Sequence, residues 1–211
     1  MIEKRNFQVT EFRAFQNEEG ERFVEGYAAL FDSRSKLLSS WDMVFYEELR
    51  AGSFAEALER SDLDVVFVPD HNSEKVIARS KAGTLELKED EKGLYFKASV
   101  PDVTYANDMY KLMERGDLSD TSFAFNVSEE GFTMSETEEG IPLRSINKID
   151  RLLDVSVVTR GAYAEPSAEA RGLKEYIDQK EESKREDDSA DVDQEDVKLR
   201  LRLIQLKNKN Y

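Results

Sequence analysis

Short runs of apolar and aromatic residues, separated by polar turns, recur along the chain up to about residue 165. Runs of this length that are rich in β-branched and aromatic residues favour β-strands. The predicted strands cover residues 23–31, 65–68, 84–88, 94–100, 122–127 and 152–158. The strands at 84–88 and 94–100 flank a polar segment that ends at Gly93, which predicts a hairpin.

Two segments have helical patterns. Residues 52–60 predict a short helix with Ser53 as N-cap, because Glu56 follows three residues later as in a capping box. Residues 104–115 predict a longer helix that ends before Gly116, since glycine is common just after a helix. The strands do not alternate regularly with these helices, so we expect a β-rich α+β domain rather than a doubly wound α/β fold.

The composition changes near residue 172. We therefore expect a folded domain over residues 1–172 and a charged tail over residues 173–211. Residues 178–196 hold ten acidic residues against three basic ones. Such a stretch buries too little apolar surface to offset its chain entropy, so we expect a solvated helix or a disordered segment. Residues 197–206 alternate apolar with basic residues, a pattern that fits either a strand or a docking helix.

Charge and residue counts argue against several classes of protein. The formal net charge of −15 argues against broad nucleic-acid binding, which needs clustered Lys and Arg. The chain has no cysteine and one histidine, so we expect no disulfide, no transition-metal site and no cofactor. No apolar run reaches the roughly 18 residues needed to cross a bilayer. The first residues lack the apolar core of a secretory signal, so we expect neither membrane contact nor secretion.

His71, the single histidine, follows the predicted strand 65–68 in the sequence Pro-Asp-His-Asn. Loops at strand ends often carry catalytic groups, which the rigid scaffold holds in place. Taken alone, however, a single histidine is more often a surface residue or a hydrogen-bonded core residue than a catalyst.

Ser122 and Asp154 are the other candidates for chemistry. Phe123 and Phe125 share one face of a predicted strand, and Ser122 and Ala124 share the other. We therefore expect the small neighbour to leave the serine hydroxyl open to a substrate; the alternative is an edge-strand serine that faces water. Asp154 interrupts an apolar strand, where an acid is costly to bury unless it is paired, for example with a protonated imidazole. The alternative is that Asp154 faces solvent from an edge strand.

Acyl transfer needs a nucleophile, a base that takes its proton and a group that orients the base. Ser122, His71 and Asp154 are residues of these three types, although their spacing in the sequence does not show that they meet. A metal-dependent or glycosidic hydrolase built on the 45 acidic residues is a weaker alternative, because none of them has metal-ligand spacing.

A series of short segments, in order, resembles the tailed-phage prohead (capsid maturation) protease family, which is distantly related to herpesvirus assemblin. The segments are EGYAALFD (25–32), RAGSF (50–54), DHN (70–72), GTL (83–85) with DEKGL (90–94), RGDLSDTSFAF (115–125) and LDVSVVTRGAY (153–163). Each is short, but their order over about 140 residues makes chance agreement improbable.

The resemblance implies a Ser-His-Asp triad with Ser122 as nucleophile, His71 as base and Asp154 as third member. Many relatives carry glutamate at the third position, so we expect the shorter aspartate to need a closer backbone or a bridging water. By analogy with the assemblins, Arg160 and the Gly161 amide are candidate oxyanion donors. The expected fold is a closed or partly closed, mainly antiparallel barrel with a few surrounding helices and an acidic tail.

The resemblance also implies a function and a setting. We expect a serine endopeptidase that cleaves the major capsid protein and scaffold segments, and also itself, during prohead maturation. The tail is then a segment that self-cleavage can remove, and a homodimer is possible by analogy with the assemblins. The expected place is the host cytoplasm inside the immature prohead, or the cytoplasm if the gene lies in a prophage. The alternative is a catalytically inactive, protease-like scaffolding or capsid-assembly protein.

Overall fold

The computed structural model describes residues 2–7, 12–40 and 43–159, which form a β-rich structure with two short-to-medium α-helices. The strands are β1 (Glu3–Phe7), β2 (Phe12–Gln16), β3 (Arg22–Leu30), β4 (Leu38–Ser40), β5 (Met43–Leu49), β6 (Val66–Pro69), β7 (Ala78–Arg79), β8 (Leu85–Glu89), β9 (Gly93–Val100), β10 (Asp120–Asn126), β11 (Phe132–Glu136), β12 (Pro142–Ile146) and β13 (Arg151–Val158). The helices are α1 (Ala55–Leu58) and α2 (Thr104–Arg115). The expected β-rich α+β class is confirmed.

The chain divides into two compact units. Among the described residues, the first comprises residues 2–34, 48–133 and 145–159 apart from the gap at 8–11, and the second comprises residues 35–47 and 134–144 apart from the gap at 41–42. The expected boundary at residue 172 and the whole of the predicted tail lie outside the described residues.

Two sheets build the first unit. One has the order β1-β10-β13-β6-β7, in which only the β13–β6 pair is parallel. The other has the order β2-β3-β9-β8 and is antiparallel throughout. Its β8–β9 pair is the hairpin that the sequence predicts.

Aromatic side chains from both sheets fill the core of the first unit. Phe67 of β6 stacks on Phe96 of β9 with ring centroids 5.2 Å apart, and both side chains are fully buried. Phe123 of β10 packs edge-on against Phe54, which lies just before α1. Burial of this apolar surface is the main stabilising contribution to the unit.

The second unit has a smaller core of its own. The strands β11, β12, β5 and β4 form a sheet in that order, and most of their residues belong to this unit. Leu37, Val44 and Ile141 are buried together. The carboxylate of Glu47, 3% exposed, accepts a hydrogen bond from the Arg144 guanidinium at 3.0 Å.

The short helix differs from its prediction. The structure has α1 over Ala55–Leu58 with Phe54 as N-cap, and the hydroxyl of the buried Ser53 has no hydrogen-bond partner among the described residues. The predicted capping box is therefore wrong. A tertiary contact takes its place, because the Glu89 carboxylate of β8 accepts hydrogen bonds from the backbone N–H groups of Gly52 and Phe54. The longer helix has the predicted bounds, and Gly116 ends it with a φ of 86°.

The expected barrel is not closed by hydrogen bonds. In the part of the chain that the structure describes, the three sheets have open strand orders.

Candidate active site

A strained turn after β6 carries His71. Asp70 and His71 both have a positive φ, 46° and 55°, which is uncommon outside glycine. The turn is tied to the end of β13, because the Asp70 carboxylate accepts hydrogen bonds from the backbone N–H and hydroxyl of Thr159. The backbone N–H of His71 also donates to the hydroxyl of Ser156 at 3.2 Å. These contacts fix the backbone from which the imidazole projects.

The strand order brings the other candidate residues to that turn. β13 pairs with β10 on one side and with β6 on the other. In this register Ser156 lies opposite Ser122 of β10 and opposite Val68 of β6, and Asp154 lies opposite Ala124. Alternate residues of a strand share a face, so Asp154 and Ser156 point the same way.

The His71 imidazole lies between Ser122 and Asp154. Its Nε2 is 2.6 Å from the Ser122 hydroxyl oxygen, and its Nδ1 is 2.7 Å from Oδ1 of Asp154. The structure therefore brings together the three residues that the sequence nominates. The Nδ1–Asp154 contact is direct, so the shorter aspartate needs no bridging water here.

Ser156 completes the polar cluster, and the sequence analysis missed it. Its hydroxyl donates to Oδ1 of Asp154 at 2.9 Å and lies 3.2 Å from Nδ1 of His71. The side chain is fully buried. Its position two residues after Asp154, on the same face of a predicted strand, was a signal that could have found it.

Asp154 does not face solvent from an edge strand. β13 is flanked on both sides, and the Asp154 side chain is 15% exposed. The alternative in which Asp154 faces solvent is therefore wrong. A carboxylate that is mostly removed from water is stabilised by hydrogen-bond donors, here His71 and Ser156.

Ser122 is not open to a substrate as expected, nor does it face water from an edge. It is fully buried. The His71 imidazole contacts its hydroxyl, and β1 pairs with β10 on the side away from β13. The backbone carbonyl oxygen of Arg5 lies 2.9 Å from the Ser122 hydroxyl and can accept its hydrogen bond. The small neighbour Ala124 therefore does not leave the hydroxyl open.

The candidate oxyanion donors, Arg160 and Gly161, lie outside the described residues. Among residues 2–7, 12–40 and 43–159, no group of three or more His, Asp or Glu side chains could hold a metal ion. Within the same ranges, no helix is long and apolar enough to span a membrane.

Comparison with known proteins identifies a family whose model matches this sequence. The sequence matches the family model described as caudovirus prohead serine protease over residues 9–180, a range that includes Ser122, His71 and Asp154. No curated protein matches the chain. Among solved structures, that of the bacteriophage T4 capsid assembly protease aligns with 10% identity and a TM-score of 0.39, over 75% of this chain and 96% of that one.

Proposed function

Because the chain belongs to the caudovirus prohead serine protease family, we propose that it is an endopeptidase in which Ser122 is the nucleophile, His71 the general base and Asp154 the residue that orients the base. The observation that carries this assignment is the continuous hydrogen-bonded path from the Ser122 hydroxyl through both imidazole nitrogens to the Asp154 carboxylate.

The proposed reaction is acyl transfer in two steps. The Ser122 oxygen attacks the peptide carbonyl carbon while Nε2 of His71 takes the hydroxyl proton. Asp154 accepts the Nδ1–H bond, which keeps Nε2 free to act as a base and stabilises the imidazolium that forms. Nε2 then gives the proton to the leaving amine. In the second step His71 takes a proton from a water molecule, whose oxygen attacks the carbonyl carbon of the acyl-enzyme. The bond to Ser122 then breaks, and Nε2 returns the proton to the Ser122 oxygen as the carboxylic acid product leaves.

The developing negative charge on the substrate oxygen needs preorganised donors. We assign this role to Arg160 and the Gly161 amide. In the sequence they are the second and third residues after Val158, the last residue of β13. That placement in the sequence puts them after the same strand that carries Asp154.

The proposed substrates are segments of the major capsid protein and of the scaffold, cleaved within the assembling capsid in the host cell. We further propose that the chain cleaves itself and thereby separates the tail, 173–211, from the protease domain, 1–172. Dimerisation of the chain is part of the same proposal, by analogy with the assemblins.

The test compares the wild type with Ser122→Ala, each expressed with the capsid protein from the same genome. We expect the wild type to shorten the capsid protein and itself, and Ser122→Ala to leave both at full length, as measured by intact mass. Asp154→Asn should lower the cleavage rate about 10³–10⁴-fold, because the imidazole loses the carboxylate that orients it. Asp108→Asn is the matched control, because it makes the same chemical change at an exposed side chain of α2. This variant should cleave at the wild-type rate.

A catalytically inactive, assembly-only protein is the second candidate, and the full burial of Ser122 is the observation that favours it. A fluorophosphonate probe separates the two functions, since it modifies only an activated serine. The assay includes a chain that lacks residues 1–7, because β1 pairs with β10 beside Ser122 and its Arg5 carbonyl oxygen contacts the serine hydroxyl. If neither chain is labelled and neither cuts the capsid protein, the protease assignment is wrong.

A further inference from the structure

We propose that β1 occupies the edge of β10 at which an extended peptide substrate binds, and that β1 must leave before Ser122 can act. The inference rests on the proposed function, because it assigns the substrate-binding edge and the resting state of the same site. The occupant of that edge in this structure is the chain's own segment Glu3–Phe7.

β1 lies where an added strand would lie. Among the described strands it is the last one of its sheet, and its antiparallel partner there is β10. Asn6 lies opposite Ser122, and Arg5 lies opposite Phe123. Removal of β1 would leave the backbone N–H and C=O groups of β10 unpaired beside the nucleophile. Such an edge binds an extended peptide through main-chain hydrogen bonds.

The single proton of Ser122 shows why β1 opposes catalysis. A hydroxyl has one proton, and a carbonyl oxygen can only accept. The Arg5 carbonyl oxygen lies 2.9 Å from the Ser122 oxygen, and Nε2 of His71 lies 2.6 Å from it, so the two compete for that proton. While the hydroxyl donates to Arg5, it cannot give its proton to Nε2, which is the first step of the proposed reaction.

The contact with Arg5 is also not that of a substrate. The Ser122 oxygen is hydrogen-bonded to the carbonyl oxygen of Arg5, whereas a nucleophile must approach the carbonyl carbon. β1 thus occupies the edge of β10 beside the nucleophile without presenting a bond in position for attack.

The pairing of β1 with β10 is of a kind that a peptide can reproduce. The strand is five residues long, and Arg5 lies over the Phe125 ring, 5.7 Å from its centroid. Main-chain hydrogen bonds between strands do not depend on side-chain identity, so an extended peptide can form the same bonds when β1 opens locally.

The absence of cysteine from the chain allows a direct test of access that does not require catalysis. In Ser122→Cys, the rate of alkylation by iodoacetamide, followed by intact mass, reports how often position 122 is uncovered. We expect alkylation to be at least about tenfold faster when residues 1–7 are deleted, because a covered position reacts only during local opening. Ser119→Cys, an exposed position three residues away, is the control and should react equally fast with and without residues 1–7.

A second variant covers the case in which the deletion does not fold. The double variant Lys4→Pro/Arg5→Pro loses two successive backbone N–H groups, of which one points at β10, so pairing is weakened while the chain keeps its length. It should accelerate alkylation of Ser122→Cys as the deletion does. Circular dichroism establishes that each variant is folded. If both variants unfold, β1 is an essential strand of the fold and the proposal is wrong.

The outcomes separate the two proposals. Equal alkylation rates with and without β1 overturn the inference, whatever the enzyme activity. Faster alkylation, together with faster fluorophosphonate labelling of Ser122 in the deleted chain, supports both. Faster alkylation with no labelling and no cleavage by any chain leaves β1 as the cover of Ser122 and contradicts the protease function.

Discussion

At the scale of single residues, the site depends on how the one imidazole is held. His71 donates its backbone N–H to the Ser156 hydroxyl, and the same hydroxyl donates to Asp154. Ser156 therefore connects the turn that carries the base to the carboxylate that orients it. A buried hydroxyl with both of these partners restricts the imidazole and the carboxylate to one relative position.

Loss of the Ser156 hydroxyl should slow the reaction without weakening substrate binding. We expect Ser156→Ala to lower kcat about tenfold and to change KM less than about twofold, because the imidazole remains but its orientation is no longer fixed. Kinetics on a capsid-protein segment that the wild type cleaves measure this division. Since His71 is the only histidine, the NMR signal of its Nδ1 proton should also shift or broaden.

Ser145→Ala is the matched control. Ser145 is likewise buried, but its hydroxyl donates to Glu48 and not to the site. It should keep the wild-type kcat. An equal loss of kcat in the two variants would show that Ser156 acts through general stability only.

At the scale of elements, β3 connects two contacts: it packs closely against β9, and it accepts a hydrogen bond from β10, the strand that carries Ser122. Gly93 at the start of β9 pairs with Leu30, and a Cβ at this position would lie 2.0 Å from the carbonyl oxygen of Ala29. On the same strand β3, the Tyr27 carbonyl accepts a hydrogen bond from the Thr121 hydroxyl, next to Ser122. The absence of a side chain at Gly93 therefore lets β3 lie where it can position the strand of the nucleophile.

Gly93→Ala should destabilise the protein by about 2–3 kcal/mol, because the added methyl group forces β9 away from the backbone of β3. Urea unfolding measures the difference in the free energy of unfolding. Gly116→Ala is the control for conformational strain, since its φ is 86° but nothing lies within 4 Å of the added atom. It should cost about 1 kcal/mol. Equal costs at the two positions would contradict the steric explanation.

At the scale of the whole molecule, one core supports both sheets of the first unit, and that unit carries every described residue of the site. Phe67 belongs to the strand that leads to His71, and it stacks on Phe96 of the other sheet. The position of the base is therefore set by packing between sheets as much as by its own turn. The formal charge of −15 belongs to no single residue of the site, and mutual repulsion between like-charged molecules opposes their association.

Phe67→Ala should lower the free energy of unfolding by about 3–5 kcal/mol, because it leaves a cavity between the two sheets. Val76→Ala, at a position that is 36% exposed, should change it by less than about 0.5 kcal/mol. Denaturant unfolding of both variants gives the comparison. Similar values for the two would mean that the stack of Phe67 on Phe96 does not bear on stability.

The sequence by itself determined the chemical types in the site and much of the local structure. It predicted the hairpin of β8 and β9 and the helix that Gly116 ends, which depend on strand periodicity and on neighbouring residues. Residue chemistry made Ser122, His71 and Asp154 candidates, and the resemblance of the ordered segments to the prohead proteases selected them as a triad.

Only the tertiary structure decided which strands lie side by side. A period-two pattern shows which residues share a face, but it does not show that β13 pairs in parallel with β6 or that β1 pairs with β10 beside Ser122. For the same reason the sequence did not reveal that Glu89, rather than Ser53, supplies the acceptor at the start of α1. Each of these contacts joins residues far apart in the chain, and their energy comes from pairing and burial that no local pattern records.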